Sequence, residues 1–249
     1  MASLRAELDR PHTPGGDKDA QQLLCRGIRP VRSEWLRHQV AARTQFFDQQ
    51  LLTAITAGVK QIVICGAGYD DRAFRFRTPG VCYFELDHPA SQAEKARRLR
   101  AVGIDTIGLE LAPADFRTDD VAKVLQDHGH DADLASLFVC EGLLVYLDQP
   151  TCVRLLAGLR SRAAPGSTLA VSLATHRVGI DSDYVTATMN ARRRTGQSEP
   201  WRTILPVDSH LALVERAEWH VEQTLDAVKL DPAAIPGHTQ LVTAAPNPF

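Results

Sequence analysis

The sequence lacks any C-x-x-C pair: Cys25, Cys65, Cys82, Cys140 and Cys152 are scattered, and three of them lie in apolar, strand-like runs where a free thiol behaves as a small hydrophobe. Neither a zinc site nor a disulfide framework is indicated, and no metal is expected. It lacks a run of about 18 consecutive apolar residues. Its first segment, "MASLRAELDRPHTPGGDKDA", carries charges and prolines where a secretory leader would carry an apolar stretch, so a soluble, cytoplasmic protein is expected. It lacks a charge excess as well, with 28 basic against 30 acidic residues. Neither nucleic acid nor an anionic membrane is advertised as a partner, and a small, near-neutral ligand is the simpler expectation. Internal repeats and low-complexity segments are absent too.

What is present is a chain of 249 residues, 44% apolar, long enough to bury one sizeable core in one domain, 1–249. "DRPHTPGGDKD" (9–19) clusters turn formers and charges and reads as a mobile loop. Ser33 to Ala57 holds no glycine or proline and is followed by Gly58, which predicts a long helix closing an N-terminal extension, 1–58. Strands and helices then alternate: "QIVICG", "VCYFELD", "TIGLELAPAD", "LASLFVCEG" and "STLAVSLA" are strands, with helices between them over 59–174. Such alternation predicts an α/β fold, a mainly parallel sheet covered on both faces, with ligands at the carboxyl ends of the strands. The run 175–207 is too long for an ordinary connection and predicts a cap over that crevice. Residues 208–249 add a helix and the strands "WHVEQTL" and "TQLVTAA".

The turn in "QIVICGAGYDDRAFRF" (61–76) selects the ligand. Gly66 and Gly68 fit the first two positions of a dinucleotide fingerprint, but Asp71, preceded by Asp70, stands at the third. Carboxylates at a helix N-terminus oppose a phosphate unless Arg72 offsets them. The plain alternative is a tight turn whose aspartates cap the helix. Asp87, 19 residues past Gly68, closes the second strand, where a carboxylate can accept from both ribose hydroxyls; Asp115 follows the third and Glu141 ends the fourth. Asp115 could instead make an Asx-turn, and Glu141 could pair with Arg43. Three acids at one sheet end, without phosphate chemistry, match S-adenosylmethionine: ribose for Asp87, the adenine amino group for Asp115, the cationic amino acid end for Glu141. Its carboxylate needs a donor, either Arg43 or the N–H groups of the glycine turn.

"ARTQFFDQQL" (41–50), "VICGAGYDDRAFRF" (63–76), "YFELDHPASQAEKARRL" (83–99), "PADFR" (113–117) and "CEGLLVYL" (140–147) resemble the leucine carboxyl methyltransferase-like branch of class I S-adenosylmethionine-dependent methyltransferases, which includes bacterial O-methyltransferases of polyketide pathways. The resemblance covers most of 35–175. It implies a Rossmann-like, mostly parallel seven-stranded sheet with the N-terminal helical extension and with the cap between strands five and six. It further implies a methionine site at Arg43, Gly66, Ala67 and Gly68, the ribose on Asp87, adenine at Asp115 and Phe116, and the methionine amino group near Glu141. Asp71 stands where the family usually has threonine, and Ala217 and Glu218 replace a glycine-containing turn.

A carboxylate acceptor needs no base, whereas a phenol or alcohol does. His176 and His210 are candidate bases, and Tyr146 and Tyr184 could orient an acceptor. Trp201, Tyr184 and Met189 could line an apolar pocket or pack the cap; "ARRRTG" (191–196) could recruit an acidic partner or be a solvated helix face. The expected activity is O-methylation of a small-molecule carboxyl or hydroxyl in secondary metabolism. Cyclisation or elimination of the cofactor with release of methylthioadenosine, and an inactive scaffold, stay open, as does a homodimer.

Overall fold

All five residues of β1 (Gln61–Cys65) and of β4 (Ser136–Cys140) are buried, as two-faced burial in a parallel sheet requires. The computed structural model describes residues 1–30, 32–176, 179, 181–192 and 199–247. β1 pairs in parallel with β2 (Cys82–Asp87) on one side and β4 on the other. β3 (Leu109–Pro113) and β5 (Thr168–Ala174) extend the parallel set. β7 (Thr239–Pro246) runs antiparallel to β5, and β6 (Trp219–Asp226) antiparallel to β7, giving the order β3-β2-β1-β4-β5-β7-β6. The seven strands and their mostly parallel pairing are those expected. The order reverses between β1 and β4, which opens a crevice at their carboxyl ends.

Alternation along the strands divides the core. Val63, Phe84, Leu86, Phe138 and Cys140 face one layer, with Leu155, Leu156 and Leu159 of α7 (Gln149–Arg160) and Val214 of α9 (Val207–Arg216). Ile62, Ile64, Tyr83, Leu137 and Val139 face the other, against Phe46, Phe47 and Leu51 of α3 (Glu34–Thr56). α5 (Pro89–Val102) and α6 (Val121–Asp127) complete the crossovers, Asp120 capping α6 by accepting from the Ala122 and Lys123 amides.

Two short helices, α1 (Ala2–Arg5) and α2 (Ala20–Leu24), precede α3, and α4 (Arg72–Arg75) follows the glycine turn. The mobile loop expected at 9–19 is instead pinned. Arg10 is buried, its Nε donating to Asp48 at 2.8 Å and its Nη1 to Asp71 at 2.7 Å. Arg75 donates to the Lys18 carbonyl. Buried carboxylates on α3 and the turn demand opposite charge, and this loop supplies it.

In the 175–207 segment, α8 (Ser182–Arg192) is described, and the returning chain is tied down where Arg202 and Thr203 donate to the Val145 carbonyl. The Met189 side chain and most of the basic cluster 191–196 lie outside the described residues. Before β6 the chain turns through Glu218 at φ 63°, the only non-glycine residue with positive φ among those described. It lies in the Ala217–Glu218 turn, where the resemblance implied a glycine, the residue that reaches this conformation without strain.

Candidate functional site

The crevice holds a cavity of about 200 Å³, far above the roughly 10–15 Å³ one water needs. Its floor is the turn from Gly66 to Asp70, whose glycines adopt φ of 68° and 49°. A Cβ on Gly66 would come within 3.0 Å of the Leu143 side chain, so glycine is needed there for space as well as for φ. Three amides of this turn are already used: Gly66 and Ala67 donate to the Leu86 carbonyl, and Gly68 donates to Asp87 Oδ2 at 2.6 Å. These three amides are engaged within the protein, whereas Arg43 Nε keeps its donor unused. Asp87 thereby fixes the turn, its Oδ1 also accepting from the His88 amide at 2.7 Å.

Arg43 and Glu141 meet in the cavity, but Glu141 is not a bare acid. Its Oε2 accepts from Arg72 Nη1 at 2.7 Å and lies 3.4 Å from Arg5 Nη2. Its Oε1 stands 3.5 Å from Arg43 Nε, too far for a sound hydrogen bond, and is left without one. Burial alone would raise this carboxyl; Arg5, Arg72 and Arg43 outweigh it and hold it down to about 2. Asp70 is likewise held below the usual carboxylate range by Arg72, Arg5 and Lys95 against its burial.

The carboxylates stabilise the fold fully above their unfolded range, and that stability is lost as pH falls from about 5 toward 2. Acid titration followed by circular dichroism should show cooperative unfolding in that window; a fold unchanged down to pH 2 would contradict the pairing.

One face of α3 completes the site. Trp35, Gln39 and Arg43, at four-residue spacing, all line the cavity. Gln39 is 2% exposed, and neither atom of its amide has a hydrogen-bond partner. Buried polar groups are rarely left so. Together the orphaned Gln39 Oε1 and Glu141 Oε1 are acceptors, while Gln39 Nε2 and Arg43 Nε are donors. That set complements a zwitterion, an ammonium beside a carboxylate.

Other expected residues lie outside the lining of this cavity. Asp115 makes the alternative Asx-turn, accepting the Arg117 amide at 3.0 Å, and pairs with the Arg117 guanidinium at 2.9 Å. Phe116 is packed in the core beneath it. Asp71 gives its helix no side-chain cap; it binds Arg10 and, at 2.7 Å, Arg75. Arg72 points inward to Asp48, Asp70 and Glu141 and faces no ligand phosphate.

Of the four catalytic candidates, only Tyr146 lines the cavity. His210 is 1% exposed and hydrogen-bonds the Ala174 carbonyl at 2.7 Å, and burial pushes it down to about 4; it belongs to the packing of α9. His176 bonds Ser182 Oγ at 2.8 Å, and Tyr184 is 68% exposed. Sequence reasoning missed Arg5, Trp35, Gln39 and His238, all of which line the cavity. The spacing 35, 39, 43 was the signal for two of them; Arg5 and His238 reach the site only through tertiary folding.

The leucine carboxyl methyltransferase family model matches residues 11–160. A protein of Mycolicibacterium gilvum, named "Putative S-adenosyl-L-methionine-dependent methyltransferase", is 34% identical over 80% of this chain and 66% of its own length. A Mycobacterium tuberculosis protein of the same name is 40% identical over 54% of this chain and 42% of its own. The chain thus spans less than two thirds of these relatives. Among solved structures, the magnesium protoporphyrin IX methyltransferase of Synechocystis, with bound S-adenosylhomocysteine, aligns at TM-score 0.58 and 11% identity, covering 92% of this chain and 94% of that one. Mitomycin 7-O-methyltransferase aligns at TM-score 0.54 and 18% identity, covering 85% and 54%. These two likenesses concern the fold. With a glycine turn, an acid closing β2 and Glu-Gly-Leu closing β4 all inside the matched span, the chain belongs to the leucine carboxyl methyltransferase family.

Proposed function

We propose that the chain is a cytoplasmic S-adenosylmethionine-dependent O-methyltransferase acting on a carboxyl or hydroxyl group of a small molecule in secondary metabolism. The observation that carries this reading is the unpaired zwitterion complement of Gln39, Arg43 and Glu141 beside the glycine turn. S-adenosylmethionine has an α-amino acid end of that description and no phosphate, so the residues present fit it. When bound, it supplies an electrophilic sulfonium methyl group.

In this reading Arg43 and Gln39 Nε2 take the carboxylate, and Glu141 Oε1 with Gln39 Oε1 takes the ammonium. Charge-assisted hydrogen bonds of this kind contribute roughly 1.5–3 kcal/mol each. Asp87 keeps lone pairs beyond those given to Gly68 and His88, and offers them to ribose hydroxyls. Asp115 meets the adenine amino group by sharing its oxygens with Arg117, with Phe116 beneath. Trp35, Tyr146 and Trp201 wall the acceptor side, where alignment of donor and acceptor can lower the barrier by about 7–11 kcal/mol.

Mass identification of the nucleoside product tests this directly. S-adenosylhomocysteine is expected with acceptors present. Methylthioadenosine released without any acceptor would point to cyclisation or elimination instead.

A further inference from the structure

The aromatic wall of the cavity, assigned above to the acceptor, also holds an imidazole. Trp35 of α3, Trp201 of the returning cap segment and His238 just before β7 line the cavity together. The His238 ring lies 5.9 Å from that of Trp35, edge-on at 74°, and 6.4 Å from that of Trp201, tilted 45°. Trp35 leaves 42% of its surface exposed, a large apolar face that a ring-shaped ligand would cover. The His238 backbone is fixed, its N–H donating to the Ile235 carbonyl at 3.3 Å and its carbonyl accepting from the Thr175 amide at 2.9 Å. Its imidazole makes ring contacts but no hydrogen bond with the described residues. A ring held in place, with both nitrogens still able to exchange a proton, is what a general base requires.

We propose that His238 is the general base of the transferase, and that the acceptor is a planar aromatic hydroxyl seated against Trp35 and Trp201. This rests on the O-methyltransferase reading above, and it separates the two acceptor classes left open there. A phenol, with a pKa near 10, is mostly protonated at pH 7 and nucleophilically weak. His238 takes the hydroxyl proton as the acceptor oxygen forms its bond to the methyl carbon. The carbon–sulfur bond breaks, its electron pair returns to sulfur, and the imidazolium later yields the proton to water. The products are an aryl methyl ether, S-adenosylhomocysteine and a proton.

The surroundings keep the base neutral. Burial first, and the Arg43 charge second, push His238 below its ordinary value. Among the described residues, the other titratable groups of the cavity are Arg5, the Met1 amino group, Tyr69, Asp70, Glu141 and Tyr146. Arg5 is paired with both Asp70 and Glu141, and Asp231, in the loop before β7, is held by His38 at 2.8 Å. A carboxylate acceptor would leave such a base idle.

The test compares hydroxyarenes (phenol, 1-naphthol, a hydroxyanthraquinone) with the matching arene carboxylates, using the full chain. For the best hydroxyarene, His238→Asn should lower kcat by about 100-fold or more and abolish the acid limb of the kcat/KM profile. The calorimetric Kd for that hydroxyarene, measured without cofactor, should stay within about threefold, whereas Trp35→Ala should weaken it about tenfold. Both variants should keep the wild-type melting temperature. Unchanged turnover in His238→Asn, or methylation of carboxylates alone, would overturn the base while leaving the O-methyltransferase reading intact. If S-adenosylmethionine binds but no acceptor of either class yields S-adenosylhomocysteine, that reading falls, and the base with it.

Discussion

Arg72→Met is expected to destabilise the protein by about 3–5 kcal/mol, read from urea unfolding at pH 7. Arg72 is fully buried, donating through Nε to Asp48 at 2.7 Å and through Nη1 to Asp70 and Glu141, each at 2.7 Å. Methionine fills similar space but strands three carboxylates that then share Arg5, Arg10, Arg43 and the more distant charge of Lys95. Removing one member of a buried ionic cluster leaves uncompensated charge, which costs far more than the net worth of the intact pairs. The exposed Lys123–Asp127 pair, at 2.9 Å, is the control, because a solvated pair holds little stability; Lys123→Met should leave the midpoint unmoved. A loss below about 1 kcal/mol in Arg72→Met would show that the cluster does not hold the site together.

The second large effect concerns the ligand. Arg43→Ala should weaken S-adenosylhomocysteine binding by about 10- to 100-fold, measured by calorimetry, since a charge-assisted hydrogen bond of roughly 1.5–3 kcal/mol is lost. The fold should survive, because Arg43 Nε is 3.5 Å from Glu141 and makes no hydrogen bond to it. This distinguishes Arg43 from Arg72: the two approach the same carboxylate, one as an open donor and one as part of the core. Unaltered affinity would move the amino acid end of the ligand away from α3.

Much of this architecture was legible along the chain because it is local or periodic. Uninterrupted apolar runs such as "IVIC" (62–65) are buried on both faces, and a parallel sheet is the arrangement that buries them so. The acids at the ends of β2, β3 and β4 could be found because strand ends converge on one crevice. What each acid binds could not. Glu141 is shaped by Arg5, Arg72 and Arg43, which lie 136, 69 and 98 residues away, and sequence spacing says nothing about such pairs. The same limit explains Asp71, which reads as a helix cap and serves as the anchor for Arg10. Composition also misled at 9–19, where turn-forming residues suggested mobility and one buried arginine overrides it. His238 was one histidine of nine, and only the closing of β7 onto β5 brings it beside Trp35.

A crystal structure with S-adenosylhomocysteine tests the central claim most directly, that the cavity between the glycine turn and α3 receives the amino acid end of the cofactor. The expected density places the carboxylate on Arg43 and Gln39 and the ammonium on Glu141 Oε1, with the ribose on Asp87. An amino acid end lying away from α3, or a ligand bound outside this cavity, would contradict it.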